Sequence, residues 1–280
     1  MKEFYIPLLP ITLEKNTDEK LSDREVPGIE LEYPWGAFKG RTLFTGAFVA
    51  GGKDGLAVSF CAEVPHSKLV ARRTENKTKV YEDDCLEFFI MPVAPEAAAT
   101  GSGMNAPQTA ATPGTSAGSV YYAWEINPNG ACLDYRVFTG DTANKVLEEA
   151  RAQKDFKVYA GDEKIHGFHQ DTIDGLPLLF DYSWKGNAVR RITIEDDFWY
   201  LELFIPWKDL GLSQMPAPGT TWYGTINRVD AGARSRAVSG EKRSENPGLL
   251  CLLDETDLPS FHQPKKFVAF HFESGDNTTK

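Results

Sequence analysis

The sequence lacks several features that would assign it to a familiar class. Its 280 residues contain no uncharged apolar run near the ~18 residues that span a bilayer, so no membrane-spanning helix is predicted. We find no nucleophile elbow, no phosphate-binding glycine loop and no zinc-protease motif. Basic charge is scarce, with 30 Lys and Arg against 40 Asp and Glu and a net charge of −10. Because phosphate neutralisation needs a basic surface, this balance argues against a nucleic-acid partner.

Cysteine is also sparse, and its spacing excludes the usual zinc pattern. No two of the four cysteines form Cys-x-x-Cys, so a structural zinc site is not expected. Buried, reduced thiols are the expectation, although a disulfide pair stays open from sequence alone. The four are Cys61, Cys85, Cys132 and Cys251.

The first ten residues make a poor signal peptide. Their apolar stretch is short, is interrupted by Pro7 and Pro10, and is followed by no small-residue cleavage site. The sequence as written therefore predicts a cytoplasmic protein. An extracellular location is the expectation if a leader has been removed.

A period of two, which is typical of strands, dominates the chain. Helical patterning is confined to residues 142–153 and to a single turn at 206–210. An Asn-Gly pair at 129–130 predicts a hairpin turn, because it accommodates positive φ angles. We therefore predict an all-β fold, an antiparallel β-sandwich of immunoglobulin-like or jelly-roll-like architecture with few short helices. The predicted strands are 41–49, 55–64, 84–91, 120–127, 131–138, 189–195, 198–205, 220–229 and 267–272.

Residues 94–119 differ in composition from the rest of the chain. Of these 26 residues, 22 are Ala, Gly, Pro, Ser or Thr. Such a segment has too little apolar bulk to offset the entropy of ordering, so a disordered insertion is expected. Strand patterning resumes on both sides, which favours one domain over residues 1–280. A linker between two domains is the alternative.

The sharpest local motif is Tyr-Glu-Asp-Asp-Cys-Leu-Glu-Phe-Phe-Ile, residues 81–90. Alternation puts Glu87 in mid-strand on a partly apolar face, where a carboxylate needs a partner or a ligand. A salt bridge to an arginine on a neighbouring strand and a ligand role both stay open. Asp83 and Asp84 are weak candidates for a cation such as calcium, with a solvated turn as the alternative.

Six segments in order carry recognisable motifs. They include the acidic motif, a Glu-Ile-Asn-Pro-x-Gly hairpin, a late strand ending in Ile-Pro-Trp, a strand with an Asn-Arg element and a His-x-Pro-x-x-Phe lead into the final strand. The segments are 55–60, 81–90, 122–130, 199–207, 222–230 and 261–267. Together they extend over much of the chain and resemble family 9 carbohydrate-binding modules and their relatives.

The resemblance implies an antiparallel β-sandwich that holds a sugar ring between aromatic side chains. It implies ligand contacts at Tyr81, Glu87 and Asn227. The chain departs from the family in two ways: Tyr81 stands where tryptophan is characteristic, and no aromatic follows the Asn227 element at residues 229–232.

Three further side chains are candidate ligand contacts because they supply stacking or planar hydrogen bonding. They are Trp124, Trp222 and Arg228. For Trp124 the alternative is core packing, since it lies on an apolar alternation face. For Arg228 the alternative is an ion pair with Glu87 or Asp230.

Non-catalytic carbohydrate binding is the function these observations favour, with a mono- or oligosaccharide or a glycan end as partner. A glycan hydrolase with paired carboxylates, drawn from Glu87, Asp83, Glu125 and Glu202, is the alternative. A haem site between Met91 and His262 is a third class. No cofactor is expected apart from the possible calcium, and the oligomeric state stays open.

The histidines at 166 and 169 have metal-compatible spacing, but no neighbouring pattern completes a site. We therefore assign His166 and His169 to a surface loop.

Overall fold

The structure is a computed structural model that describes residues 2–13, 26–31, 44–64, 69–92, 119–231, 249–251, 253 and 260–275. The predicted insertion at 94–119 lies outside the described residues except for Ser119. Within the described part the fold is all-β with one α-helix, as predicted. The strands are β1 (Glu3–Leu8), β2 (Gly28–Glu30), β3 (Thr45–Gly51), β4 (Gly55–Glu63), β5 (Cys85–Met91), β6 (Val120–Ile126), β7 (Cys132–Thr139), β8 (Phe168–Ile173), β9 (Leu176–Asp181), β10 (Val189–Glu195), β11 (Phe198–Pro206), β12 (Thr221–Val229), β13 (Leu249–Cys251) and β14 (Val268–Ser274).

The helical elements are short and lie between strands. Helix α1 spans Gly140–Arg151 and buries Ala143 and Leu147, which pack against Leu179 of β9. Single turns of 3₁₀-helix occupy Val80–Glu82, Trp207–Leu210 and Pro264–Lys266. None of the helices among the described residues has the length and apolar character needed to cross a membrane.

Turn chemistry sets the predicted hairpins. Between β6 and β7, Gly130 adopts a φ of 77° and donates its N–H to Asn127 O at 2.9 Å. Between β10 and β11, Asp196 adopts a φ of 52°. Gly and Asp tolerate this left-handed region, so both turns form where the sequence predicts them.

The fourteen described strands belong to one mixed sheet that does not close into a barrel. Its order is β10-β11-β4-β3-β1-β14-β12-β5-β6-β7-β9-β8, with β13 beside β12 and β2 beside β3. The expectation of a purely antiparallel sheet is corrected at one point. β1 lies between β14 and β3, which are distant from each other in sequence. It pairs in parallel with both, because it runs in the same direction as each of them.

Two apolar cores lie on opposite faces of the β5–β6–β12 region. Leu86, Phe88 and Trp124 belong to the first core, which they share with buried residues of β3, β4 and β11. Phe89 and Tyr121 belong to the second core on the other face. The side-chain period of two on β5 and β6 produces this division.

Arg228 of β12 connects strands that are far apart in the sheet order. Its guanidinium donates to Thr45 Oγ1 at 2.8 Å and to Glu63 O at 2.6 Å, on β3 and β4. The sheet therefore curves enough to bring β12 across from β3 and β4. Cys85, Cys132 and Cys251 are buried, as expected, whereas Cys61 is half-buried, and none of the four is in a disulfide in this structure.

Candidate functional site

A cavity of about 340 Å³ opens on the second core, over strands β5, β6, β7 and β12. That volume is at the lower end of the roughly 300–1,000 Å³ typical of small-molecule sites. Aromatic and acidic side chains dominate its lining. The lining residues are Tyr81, Glu87, Glu125, Leu133, Tyr135, Tyr159, His169, Asp171, Ile173, Phe180, Tyr182, Val229, Ser260, Phe261 and His262.

Two carboxylates form the floor of the cavity. Glu87 of β5 and Glu125 of β6 are directly opposite each other in the strand pairing, and both are buried. On the far side of Glu87, Asn227 of β12 donates from Nδ2 to Glu87 Oε2 at 3.3 Å. Like charges opposite each other across a strand pair repel, so this arrangement disfavours folding unless something compensates for it.

Glu125 combines deep burial with an unsatisfied oxygen. Its Oε1 accepts a hydrogen bond of 2.5 Å from the Tyr135 hydroxyl, whereas Oε2 is buried and has no hydrogen-bond partner. Burial raises the pKa of the Glu125 carboxyl, and the bond from Tyr135 opposes that rise. The free oxygen belongs to a lining residue, so a ligand in the cavity could complete its hydrogen bonding.

His262 joins the floor to the aromatic wall. Its ring stacks on Phe89 at 4.9 Å between centroids, with an interplanar angle of 15°. Tyr121 Oη lies 2.9 Å from Nδ1, and Tyr135 Oη lies 3.2 Å from Nε2. Burial lowers the pKa of His262 to about 3, so the ring is neutral at physiological pH.

A neutral ring fixes the direction of these hydrogen bonds. Since the Tyr135 hydroxyl donates to Glu125, its oxygen is left to accept from His262 Nε2–H. Nδ1 then accepts from the Tyr121 hydroxyl. The result is a chain from Tyr121 through His262 and Tyr135 to Glu125 that holds the carboxyl in place.

Tyrosines form the remaining wall. Tyr182 lies 5.2 Å from Tyr135 and 5.6 Å from Tyr159, measured between ring centroids. Tyr81, on the 3₁₀ turn before β5, is half-buried next to Tyr159. Burial, together with the neighbouring Tyr159 and Glu125, raises the pKa of Tyr81, so its hydroxyl stays protonated and can donate a hydrogen bond.

The structure brings together only some of the residues that the sequence singled out. Tyr81 and Glu87 line the cavity, and Asn227 lies behind Glu87. Trp124, Trp222 and Arg228 are buried on the opposite face of the sheet, within or beside the first core. They do not line this cavity.

For Trp124 the structure shows the core-packing alternative, whereas for Arg228 it does not show the ion pair with Glu87. Trp124 packs in the core against Phe88, with ring centroids 6.5 Å apart. Arg228 points away from Glu87, because adjacent strands place the two side chains on opposite faces.

Asp83 and Asp84 are buried rather than solvated. Asp83 accepts hydrogen bonds from the backbone N–H groups of Arg72 and Arg73, and from Asn127 Nδ2. Asp84 accepts from the backbone N–H of Val70 and of Ala231. These carboxylates therefore anchor loops onto the sheet. Among the described residues, no group of three or more His, Cys, Asp or Glu side chains is arranged to hold a metal ion.

Sequence reasoning missed much of the cavity wall. Tyr135, Tyr159 and Tyr182 carry no sequence-based prediction, Glu125 is predicted only as a candidate acid, and His262 only as a candidate haem ligand. His169 was assigned to a surface loop, whereas it lies on β8 with its ring 5.6 Å from that of Phe180. Alternation on β6 and β7 could have placed Glu125 and Tyr135 beside Glu87. The long-range packing of Tyr159 and His262 leaves no local pattern.

Comparison with known proteins supplies a fold but no sequence family. No protein-family model matches the chain, and no curated protein sequence matches it. A solved protein from Bacteroides uniformis ATCC 8492, provisionally described as carbohydrate-binding, has a similar structure with a TM-score of 0.56. It is 12% identical in sequence, and the match covers 97% of this chain and 99% of that one.

Two further matches are structures of a family 9 carbohydrate-binding module from Caldicellulosiruptor kristjanssonii. The glucose complex is 12% identical with a TM-score of 0.49, covering 98% of this chain and 96% of that one. The cellotriose complex is 11% identical with a TM-score of 0.48, covering 100% and 97%. At such identities a structural likeness concerns the fold alone. The resemblance that the sequence indicates is therefore confirmed at the level of the fold, which this chain has in common with the Bacteroides uniformis protein.

Proposed function

We propose that this protein binds a carbohydrate, without catalysis, in the cavity over Glu87 and Glu125. The observation that carries the proposal is the meeting of aromatic rings and buried carboxylates in one small cavity. The fold shared with a protein described as carbohydrate-binding adds support. A volume of about 340 Å³ favours a monosaccharide or the end of a glycan over the middle of a long polymer.

Sugar chemistry matches this lining. The faces of a pyranose ring carry C–H groups that pack on aromatic rings, here offered by Tyr81, Tyr159 and Tyr182. Its hydroxyl groups donate hydrogen bonds, and the buried Glu125 Oε2 is an acceptor without a donor. Stacking by tyrosine in place of tryptophan is part of the proposal.

We further propose that the curved sheet forms a two-layer sandwich. Contacts between distant strands support this arrangement: Arg228 reaches β3 and β4, and Arg190 Nε of β10 donates to Gly130 O, after β6, at 2.7 Å. The two layers enclose the first core and leave the second face for the cavity.

A hydrolase is the competing function, because a buried carboxyl with a raised pKa is a feature of general acids. Glu87 and Glu125, however, stand side by side on neighbouring strands, whereas a glycosidase needs carboxyls that flank the scissile bond. Asp83 is bonded to loop N–H groups, and Glu202 bonds Ser59 on another part of the sheet. The haem alternative gains no support, since both ring nitrogens of His262 face tyrosine hydroxyls.

Replacing Tyr81 tests the proposal. A glycan array identifies a ligand for the wild type, and its affinity is then measured by calorimetry for Tyr81→Ala. We expect a loss of about two- to twelvefold, which corresponds to the ~0.5–1.5 kcal/mol of an aromatic contact.

The matched control is Tyr200→Ala, on β11 and outside the cavity lining, which should retain wild-type affinity. Equal losses in both variants, or an array without any ligand, would overturn the proposal. Release of reducing sugar from the bound glycan would favour the hydrolase instead.

A further inference from the structure

The lining of the cavity is acidic. Three carboxylates line it, Glu87, Glu125 and Asp171, and its two histidines include the neutral His262. Neither lysine nor arginine occurs among the described residues that line it. Two carboxylates that lie side by side in a buried site repel each other. A cation that contacts both of them therefore stabilises their charged forms.

One of these carboxylates has an oxygen positioned for such a group. Glu125 is only 4% exposed, and its Oε2 has no hydrogen-bond partner. Its strand neighbour Glu87 contributes a second carboxylate at the same level of the sheet. An ammonium group carries three N–H donors, so it can reach two carboxylates at once.

The aromatic wall suits the same group. Tyr135, Tyr159 and Tyr182 form a connected set with ring centroids 5.2 and 5.6 Å apart, and Phe180 lies 5.9 Å from Tyr182. The electron-rich faces of such rings attract cations as well as C–H groups. An acidic floor inside an aromatic cage is thus complementary to an organic cation with an apolar body.

We infer that the cavity prefers a sugar bearing a free, protonated amino group to the corresponding neutral sugars. The ammonium group lies between Glu87 and Glu125, and the ring of the sugar packs on the tyrosines. This inference rests on the proposed carbohydrate binding, and it narrows the ligand class within it.

The experiment compares matched sugars by calorimetry at pH 7. The panel is glucosamine, N-acetylglucosamine and glucose, with galactosamine, N-acetylgalactosamine and galactose as the epimeric set. We expect the amino sugar of at least one set to bind about tenfold more tightly than its two neutral partners, the margin of a charge-assisted hydrogen bond.

Two charge-removing variants localise the preference. Glu125→Gln keeps an oxygen to accept from Tyr135, and Glu87→Gln keeps one to accept from Asn227. Each should reduce the preference for the amino sugar to about threefold or less, with little change in affinity for the neutral sugars. Glu202→Gln makes the same change on β11, where Glu202 accepts a hydrogen bond from Ser59 of β4. This variant should leave the preference for the amino sugar intact. Circular dichroism and thermal melting establish that each variant is folded.

The outcomes separate this inference from the proposed function. If neutral sugars bind as tightly as the amino sugars, the inference fails while carbohydrate binding stands. If the preference persists in both folded Gln variants, the assignment to the carboxylate pair fails. If the folded wild type binds none of the six sugars and no glycan on the array, both proposals fail.

Discussion

At the residue scale, four side chains form one chain of hydrogen bonds. The neutral state of His262 sets the direction of that chain, because Nε2–H donates to Tyr135 and Nδ1 is left to accept from Tyr121. Burial produces both effects, since it disfavours the charged form of the histidine and of the carboxyl alike. The position of the Glu125 carboxyl therefore depends on a residue 137 positions later in the chain.

His262 should make the protein less stable in acid. The folded ring binds a proton only near pH 3, whereas an unfolded histidine does so near pH ~6.5. Between these values the unfolded chain binds more protons, so the free energy of unfolding falls as the pH falls through this window. His262→Gln lacks this contribution, and we expect the difference in stability between wild type and variant to shrink from pH 7 to pH 4. Urea denaturation at each pH measures it.

Other buried groups do not obscure this comparison. Burial raises the pKa of Asp84 to about 6 and also raises that of Glu125, so these carboxyls favour the folded state in acid. Asp84 lies outside the hydrogen-bonded chain of His262 and cancels in the difference. Making the comparison in a Glu125→Gln background removes the contribution of Glu125. A constant or widening difference would show that His262 is not held neutral by the fold.

The sequence identifies the residues of the site that belong to a regular strand or its entry. Alternation alone places Glu87 opposite the face of Phe88, and the acidic motif points to Tyr81. The partners of Glu87 are not predictable in the same way, because strand register is a long-range property. Tyr159 and His262 come from irregular segments whose packing depends on the assembled sheet.

At the scale of the element, β12 contributes side chains to both faces of the sheet. Asn227 faces Glu87 and the cavity side, whereas its neighbour Arg228 faces the first core. A one-residue step along β12 therefore separates the face of the proposed site from the first core.

Arg228→Ala tests this separation. The substitution leaves Thr45 Oγ1 and Glu63 O without their donor and removes a large buried side chain. We expect the free energy of unfolding to fall by about 2–5 kcal/mol. The affinity for the sugar should stay within about twofold at a temperature where the variant is folded. Chemical denaturation and calorimetry provide the two values, and lost affinity with unchanged stability would reverse the assignment.

The sequence predicts the strands in which apolar and polar residues alternate clearly and which are joined by recognisable turn residues. The hairpins at Gly130 and Asp196 are local, so their residues determine them. The sequence analysis predicts neither β8 nor β9. β8 is mostly polar and exposed, because it lies at the edge of the sheet. β1 was missed because two prolines interrupt its neighbourhood and its pairing is entirely non-local.

At the scale of the whole molecule, β1 joins two parts of the sheet, the strands from β10 to β3 on one side and those from β14 to β8 on the other. It lies between β3 and β14, and its inward residue Ile6 is 1% exposed in the first core. Because the sheet and the first core both extend from β11, β4 and β3 across β1 to β14, β12 and β5, the described fold should unfold in a single cooperative transition.

Ile6→Ala probes this connection. We expect it to lower the free energy of unfolding by about 2–5 kcal/mol, as for other buried large-to-small changes, while the transition stays single. Tyr5→Ala on the same strand, where Tyr5 is 51% exposed, should change stability by less than about 1 kcal/mol. Urea denaturation followed by fluorescence and by circular dichroism tests both statements. Two separate transitions would show that the two parts of the sheet fold independently.

The buried Glu125 carboxyl of β6 has an evolutionary consequence. A fold selected only for heat resistance would replace Glu125 with an uncharged residue, since its buried Oε2 has no hydrogen-bond partner and weakens the protein. Such a replacement would yield a more stable protein with the same fold and with weaker ligand binding. Among relatives of this fold, retention of this acid would therefore distinguish lineages that still use the cavity from those that keep only the scaffold.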